Sequence, residues 1–165
     1  AIRLVSGNLE QAVLAPAELS ARENMMLASL QAGLAFSNAS LGAVHAMAHS
    51  AGGFLDLPHG ECNALLLEHV VRFYMTAAPE RYRQVAEAMG IDTRGMDAKT
   101  VTARVTEALA NLRRRVGIVD GLAARGVRVA DLPELAMHAV KDACVFTNPR
   151  NVNTSDAQAI YGEAL

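Results

Sequence analysis

Tryptophan is absent from this chain, aromatic residues make up only 4% of it, and it has just two cysteines. Cys62 and Cys144 stand far apart in the sequence, so no disulfide framework is available, and reduced thiols in a cytoplasmic protein are expected. No apolar run reaches the roughly 18 residues of a membrane span, and no signal peptide is visible. Charge of either sign is also scarce: 15 Lys and Arg oppose 17 Asp and Glu, a net charge of −2. That balance excludes the electrostatic attraction that nucleic acids and anionic membranes rely on. No stretch alternates apolar and polar residues as a half-buried strand does. No Gly-x-Gly-x-x-Gly phosphate-binding loop occurs.

What the chain has is apolar helix-forming residues. Hydrophobic residues make up 52% and charged residues 19%, too apolar for a disordered segment. Ala and Leu lose little side-chain freedom in a helix. The pattern predicts one all-α domain over residues 1–165, a bundle-like body of about seven or eight helices. Ile2-Arg3-Leu4-Val5 already reads as mid-helix, with no capping residue before it, so the chain is expected to be a piece of something longer. A capping box at Ser20–Glu23 opens a helix to about Phe36, with a break at Ser37-Asn38. The next helix runs from Leu41 to about Ala51 and ends at Gly52-Gly53. Further helices start near His59, at Pro79, after Asp97 (ending near Gly117), at an Asp131–Glu134 capping box, and at Ser155-Asp156. Arg113–Arg115 falls late in a helix, where cations complement the dipole. Met25, Met26, Met47, Met75, Met89 and Met137 fall at core spacings.

Three of the five histidines, His45, His49 and His59, fall in one short stretch. His45 and His49, four apart, share a helix face. His59 follows a Gly-Gly pair and a proline, so the chain can fold back toward them. Converging neutral imidazoles make a partial coordination sphere for Fe²⁺ or Zn²⁺; helical histidine pairs also arise without any metal. A zinc protease is excluded, because the general-base Glu would stand at Ala46 and a third histidine at Leu55. His69 and His138 have no partner at ligand spacing and are expected to be structural. Cys62 is expected to be a small buried side chain, and Arg150, in the turn Thr147-Asn148-Pro149-Arg150, to meet either a carboxylate or solvent.

The stretch from Ala35 to His49, Ala-Phe-Ser-Asn-Ala-Ser-Leu-Gly-Ala-Val-His-Ala-Met-Ala-His, resembles the signature of the iron-containing (group III) alcohol dehydrogenases. So does Leu57-Pro58-His59-Gly60-Glu61-Cys62-Asn63-Ala64, and the likeness continues through Leu65–Val71, Arg81–Gly90 and Thr147–Arg150. Essentially the whole chain is similar to that family's C-terminal helical domain, within the dehydroquinate synthase-like fold, and most to its lactaldehyde-reductase and propanediol-dehydrogenase branch. Ser50-Ala51 and Glu68 stand where prolines are common in the family, outside its ligand set.

The resemblance implies a catalytic Fe²⁺, sometimes Zn²⁺, held by one Asp and three His, acting as a Lewis acid while hydride passes between an alcohol and NAD(P). His45 and His59 match two of the histidine ligands. His49 matches a catalytic position beside the nicotinamide, and Phe36 and Cys144 match positions near the substrate pocket. The remaining ligands and the dinucleotide-binding domain would lie upstream. The 165 residues alone are therefore expected to be inactive and without bound metal or cofactor. The implied partners are a small alcohol or aldehyde, the N-terminal domain of the same chain and, at full length, identical subunits. A stand-alone helical metal-binding or sensor domain is the alternative, and a helical interaction module with structural histidines is a third reading. Under the dehydrogenase reading, the face with His45, His49 and Phe36 is expected to be an exposed apolar patch.

Overall fold

A computed structural model describes all residues, Ala1–Leu165, and it is helical from end to end. It has eight α-helices: α1 (Ile2–Leu14), α2 (Leu19–Ala39), α3 (Ala43–Leu55), α4 (His59–Met75), α5 (Pro79–Ala88), α6 (Ala98–Arg115), α7 (Leu132–Ala139) and α8 (Thr154–Glu163). Three short 3₁₀ turns, Ala123–Arg125, Val129–Asp131 and Ala143–Phe146, punctuate the second half. The chain divides into two compact units. Ala1–Ser40 with Ala78–Gly117 form the first, and Leu41–Ala77 with Ile118–Leu165 form the second.

In the first unit α1 packs along α2, and α5 against α6. Asn24 donates to the Asn8 side chain at 2.9 Å, and the Ala1 ammonium donates to Gln31 Oε1 at 2.7 Å. Arg83 closes the loop after α5 by donating to the carbonyls of Thr93 and Met96 at 3.0 and 2.9 Å. The helix α2 presents a stripe of Met26, Leu30 and Leu34 to solvent, 74%, 60% and 61% exposed. Met26 and Met137 are therefore not core residues, although Met47 and Met75 are. Four-residue spacing puts side chains on one helix face, but it cannot say whether that face is covered.

The second unit is arranged around α3, which packs against α4, α7 and the 143–146 turn. Ala46, Met47, Ala48 and Ala51 of α3 are buried, as are Cys62, Leu65 and Leu66 of α4 and Leu135 and Ala136 of α7. A Cβ added at Gly52 would lie 3.6 Å from Cys62 Sγ, an ordinary contact. Arg150 stacks over the Phe73 ring at 3.7 Å and lies 3.7 Å from the Asp156 carboxylate. The arginine of the turn therefore serves structure through a cation–π contact and an ion pair. The C-terminus is tied in by Leu122 N–H, which donates to Ala164 O at 2.8 Å, and by Ala123 N–H, which donates to Leu165 O.

Several helix ends differ from those the sequence suggests. The α2 N-cap is Glu18, which accepts from both the backbone and the hydroxyl of Ser20. α2 runs through Ser37-Asn38, where Asn38 donates back to Leu34 O inside the helix, and it ends only at Ser40, at φ 62°. α3 continues through Gly52-Gly53 to a left-handed Asp56. Asp131 does not cap α7; its carboxylate binds the backbone and guanidinium of Arg128 one turn earlier. Asn153, not Ser155, caps α8, in a reciprocal box with Asp156. At the starts of α2 and α8 the cap moves by two residues to another polar side chain, the scale on which such assignments slip.

A methyl group added at Gly121 would lie 2.5 Å from Leu165 O and 2.6 Å from Ala164 O, both backbone atoms. Gly121→Ala is expected to destabilise the chain by about 1–3 kcal/mol, read as a lower urea midpoint. An unchanged midpoint would show that the C-terminal residues are not docked there.

Candidate metal centre

The second unit brings together the three clustered histidines. His45 and His49 project from successive turns of α3, and the left-handed Asp56 turns the chain through Leu57 and Pro58, so that His59 opens α4 beside them. The ring centroids are 5.3 Å apart for His45 and His59, 5.0 Å for His49 and His59, and 6.3 Å for His45 and His49. Partial burial, with the neighbouring His59 and His49 rings, lowers the pKa of His45 below the usual histidine value, against a weaker opposing pull from Asp142. An imidazole kept neutral keeps a lone pair for a metal. Asn63 Nδ2 stands 2.9 Å from His59 Nε2, a hydrogen bond that a metal taking that nitrogen would displace.

Two residues that sequence reasoning missed complete the site. His49 Nδ1 lies 2.8 Å from Asp142 Oδ2. The other carboxylate oxygen of Asp142 accepts from Cys144 N–H at 2.8 Å, capping the 143–146 turn. Burial would raise the Asp142 pKa, but the hydrogen bonds from Cys144 and His49 outweigh it and leave the carboxyl below its ordinary value. A carboxylate only accepts, so His49 carries its proton on Nδ1 and leaves Nε2 open. Asn148 sets the start of α3. Its side-chain oxygen accepts from Ala43 N–H at 2.8 Å, while its amide donates to Val145 O. Thr147 donates its hydroxyl to Leu41 O beside it. Gly42 has no Cβ, and one would fall 2.8 Å from that Asn148 oxygen. The pairing of Leu41–Ala43 with Thr147–Asn148 spans more than 100 residues of sequence, so no local signal announced it. Beside His49, a cavity of 420 Å³ opens between α3 and α7, lined in part by Ser50, Phe54, Leu135, His138 and Asp142.

The family model for the C-terminal part of the Fe-containing alcohol dehydrogenase family matches residues 1–165. The chain belongs to this family. It is 46% identical over 165 residues to a 1,3-propanediol dehydrogenase of Citrobacter freundii, covering 100% of this chain and 43% of that protein. A lactaldehyde reductase of Escherichia coli (strain K12) is 40% identical over 164 residues, covering 99% and 42%. Among solved structures, a 1,3-propanediol oxidoreductase superposes with a TM-score of 0.96 at 44% identity, again covering 99% of this chain and 43% of that one. The chain thus spans less than half the length of the relatives it matches.

The family's motifs acquire physical content in this fold. The histidine-bearing stretch supplies α3, the Pro58-His59 stretch starts α4, and Thr147-Asn148 clamps the beginning of α3. The structure brings His45, His49 and His59 together with Asp142. Cys144 follows Asp142 at the edge of the cluster, half-buried. Phe36 lies on α2 in the first unit and is 48% exposed. His69 is flanked by Glu68 and Glu163, and exposed His138, paired with Glu134, lines the cavity that opens beside His49.

In Asp142→Asn, one side-chain oxygen still caps Cys144 N–H, so the introduced amide turns its N–H₂ toward His49. The His49 proton is then expected to move from Nδ1 to Nε2, visible in the ¹⁵N shifts of the ring by NMR; an unchanged tautomer would mean that Asp142 does not orient the imidazole. Asn148→Ala is expected to cost about 1 kcal/mol, as loss of a helix cap does. Urea denaturation reads it, with an unaltered midpoint as the contrary result.

Proposed function

We propose that residues 1–165 form the metal-binding helical domain of an NAD(P)-dependent alcohol dehydrogenase, one that interconverts alcohols with aldehydes or ketones. His45 and His59 are the metal ligands this chain contributes, and His49 stands beside the nicotinamide. The observation that carries this reading is the approach of the His45 and His59 rings to 5.3 Å from two different helices, with His45 held neutral. Neutral imidazole nitrogens suit Fe²⁺ and Zn²⁺ alike. When bound, such a metal supplies Lewis acidity toward an alcohol oxygen, and a nicotinamide supplies the hydride acceptor.

The chain's own residues do the rest. Asp142 fixes the tautomer of His49, whose open Nε2 can take a proton leaving the site and return it in the reverse direction. Asn148 and Thr147 hold the first turn of α3, so the spacing of the two α3 histidines is built into the helix. Two imidazoles are half of a four-ligand shell. In this reading the other ligands and the nicotinamide come from a dinucleotide-binding domain of the same polypeptide, and the 165 residues alone do not turn over alcohol. The exposed stripe Met26, Leu30 and Leu34 on α2 supports such a covering domain, because apolar residues aligned on one face mark an interaction surface. The free thiols Cys62 and Cys144 fit a cytoplasmic location.

Anaerobic titration of Fe²⁺ and Zn²⁺ into the chain carrying Cys144→Ser, so that no thiolate competes, with His45→Ala and His59→Ala added beside it, tests the ligand assignment. Weak nitrogen-only binding lost in either variant is expected. Nanomolar binding, about −12 kcal/mol, would need a full shell from within these residues and would move the reading to an independent metalloprotein. In a polypeptide that also carries the dinucleotide-binding domain, NAD(P)-dependent alcohol oxidation is expected and should fall by about a hundred- to a thousandfold in either histidine variant, the scale of losing one stabilising contact to the transition state.

A further inference from the structure

Asp142 and Cys144 meet at the edge of the histidine cluster, and neither belongs to the His45–His59 ligand pair. One ring nitrogen of His49, a carboxylate oxygen of Asp142 and the Cys144 sulfur all lie within 4.8 Å of one another. They come from two elements that pack together, α3 and the 143–146 turn. The turn itself sets two of the three, because Asp142 accepts the Cys144 N–H at 2.8 Å and so ties carboxylate and cysteine into one rigid loop. An ion can reach the cluster without opening the fold, since the His49 side chain is 41% exposed and that of Asp142 24%.

The chemistry of this set differs from that of its neighbour. His45 and His59 offer nitrogen only, whereas these residues offer nitrogen, oxygen and sulfur. Zinc-class ions accept all three donors, at about 2.0–2.3 Å, and a sulfur donor favours them over harder cations. We propose that His49, Asp142 and Cys144 form a second, thiophilic divalent-cation site, with a ligand set disjoint from His45 and His59. Before binding, burial and the adjacent Asp142 keep the Cys144 thiol protonated. On binding, the sulfur–metal bond forms as the S–H bond breaks, and that proton leaves to buffer. His49 Nδ1, which faces Asp142, gives up its proton as Nε2 takes one by exchange with solvent, so the ring stays neutral. No oxidation or reduction takes place. Two anionic donors then offset the charge of the divalent ion. Filling the site engages His49 and Asp142 together and so removes His49 from proton handling. This inhibitory consequence rests on the role proposed for His49 above; the binding itself does not.

Cadmium is the probe, because a cadmium–thiolate bond gives an ultraviolet charge-transfer band that histidine ligation does not. Cd²⁺ is titrated into the 165-residue chain under a phosphine reductant, with circular dichroism checking that each variant stays helical. One equivalent is expected to saturate the band. The band should vanish in Cys144→Ser and persist in Cys62→Ser. In His49→Ala and Asp142→Asn the affinity should drop by more than the roughly 10–100-fold that losing an outer-shell partner costs. The double variant His45→Ala/His59→Ala should keep the band, which separates this site from the nitrogen-only one. If that double variant loses it, the thiol belongs to a single site with those histidines and the proposal fails. It fails equally if the folded parent chain shows no band, or if Cys62→Ser abolishes it. A band surviving in the double variant while the parent chain binds no Fe²⁺ or Zn²⁺ at His45 and His59 would overturn the dehydrogenase ligand assignment and leave this one standing.

Discussion

Helix α3 is held at two points by hydrogen bonds from remote residues, and the candidate site depends on where those bonds put it. At its N-terminus the Asn148 side chain accepts from Ala43 N–H, and mid-helix the Tyr161 hydroxyl donates to Met47 O at 2.7 Å in the fully buried core. Apolar burial of residues such as Met47, Leu65 and Leu66 contributes more to stability, about 1.5–3 kcal/mol for each large side chain. A hydrogen bond contributes only about 1 kcal/mol net. Burial is non-directional, however, and would tolerate a helix slid or rotated by a fraction of a turn. The two polar contacts fix register and rotation, and these decide where the His45 and His49 rings fall relative to His59. Burial also pushes the Tyr161 hydroxyl far above its usual pKa, so it remains a donor throughout the ordinary pH range.

With α3 placed, the electrostatics of the cluster follow. Burial, reinforced by the neighbouring His59 and His49 rings, holds the His45 pKa below its usual value, so that imidazole stays neutral. The Asp142 carboxylate works in the opposite sense at the far side of the cluster, giving His49 a fixed hydrogen-bond acceptor. One end of the cluster thus favours lone pairs and the other an oriented proton. Four side chains produce that division.

The helical class and the histidine cluster were legible in the sequence because both arise from local periodicity. Helix-favouring composition, the Pro79 and Asp97 starts, and the His45–His49 spacing all act within a few residues, and each is found as expected. The choice among neighbouring caps was less legible. Glu18 and Ser20, or Asn153 and Ser155, are chemically equivalent acceptors, and only the path of the incoming chain selects one of them. Gly52-Gly53 reads as a helix end, yet it remains inside α3. Asp142 gave no sign of its role, since it meets His49 across 93 residues.

The sequence by itself determined the all-helical class, the clustering of three histidines and the family, because composition, helical spacing and ordered motifs are properties of short stretches of chain. Only the tertiary structure decided that Asp142 and Asn148 serve the histidine helix, that Cys144 stands beside His49, and that the α2 stripe faces solvent. Those facts depend on which distant segments meet when the chain folds, and contacts across that much sequence leave no periodic trace in either partner.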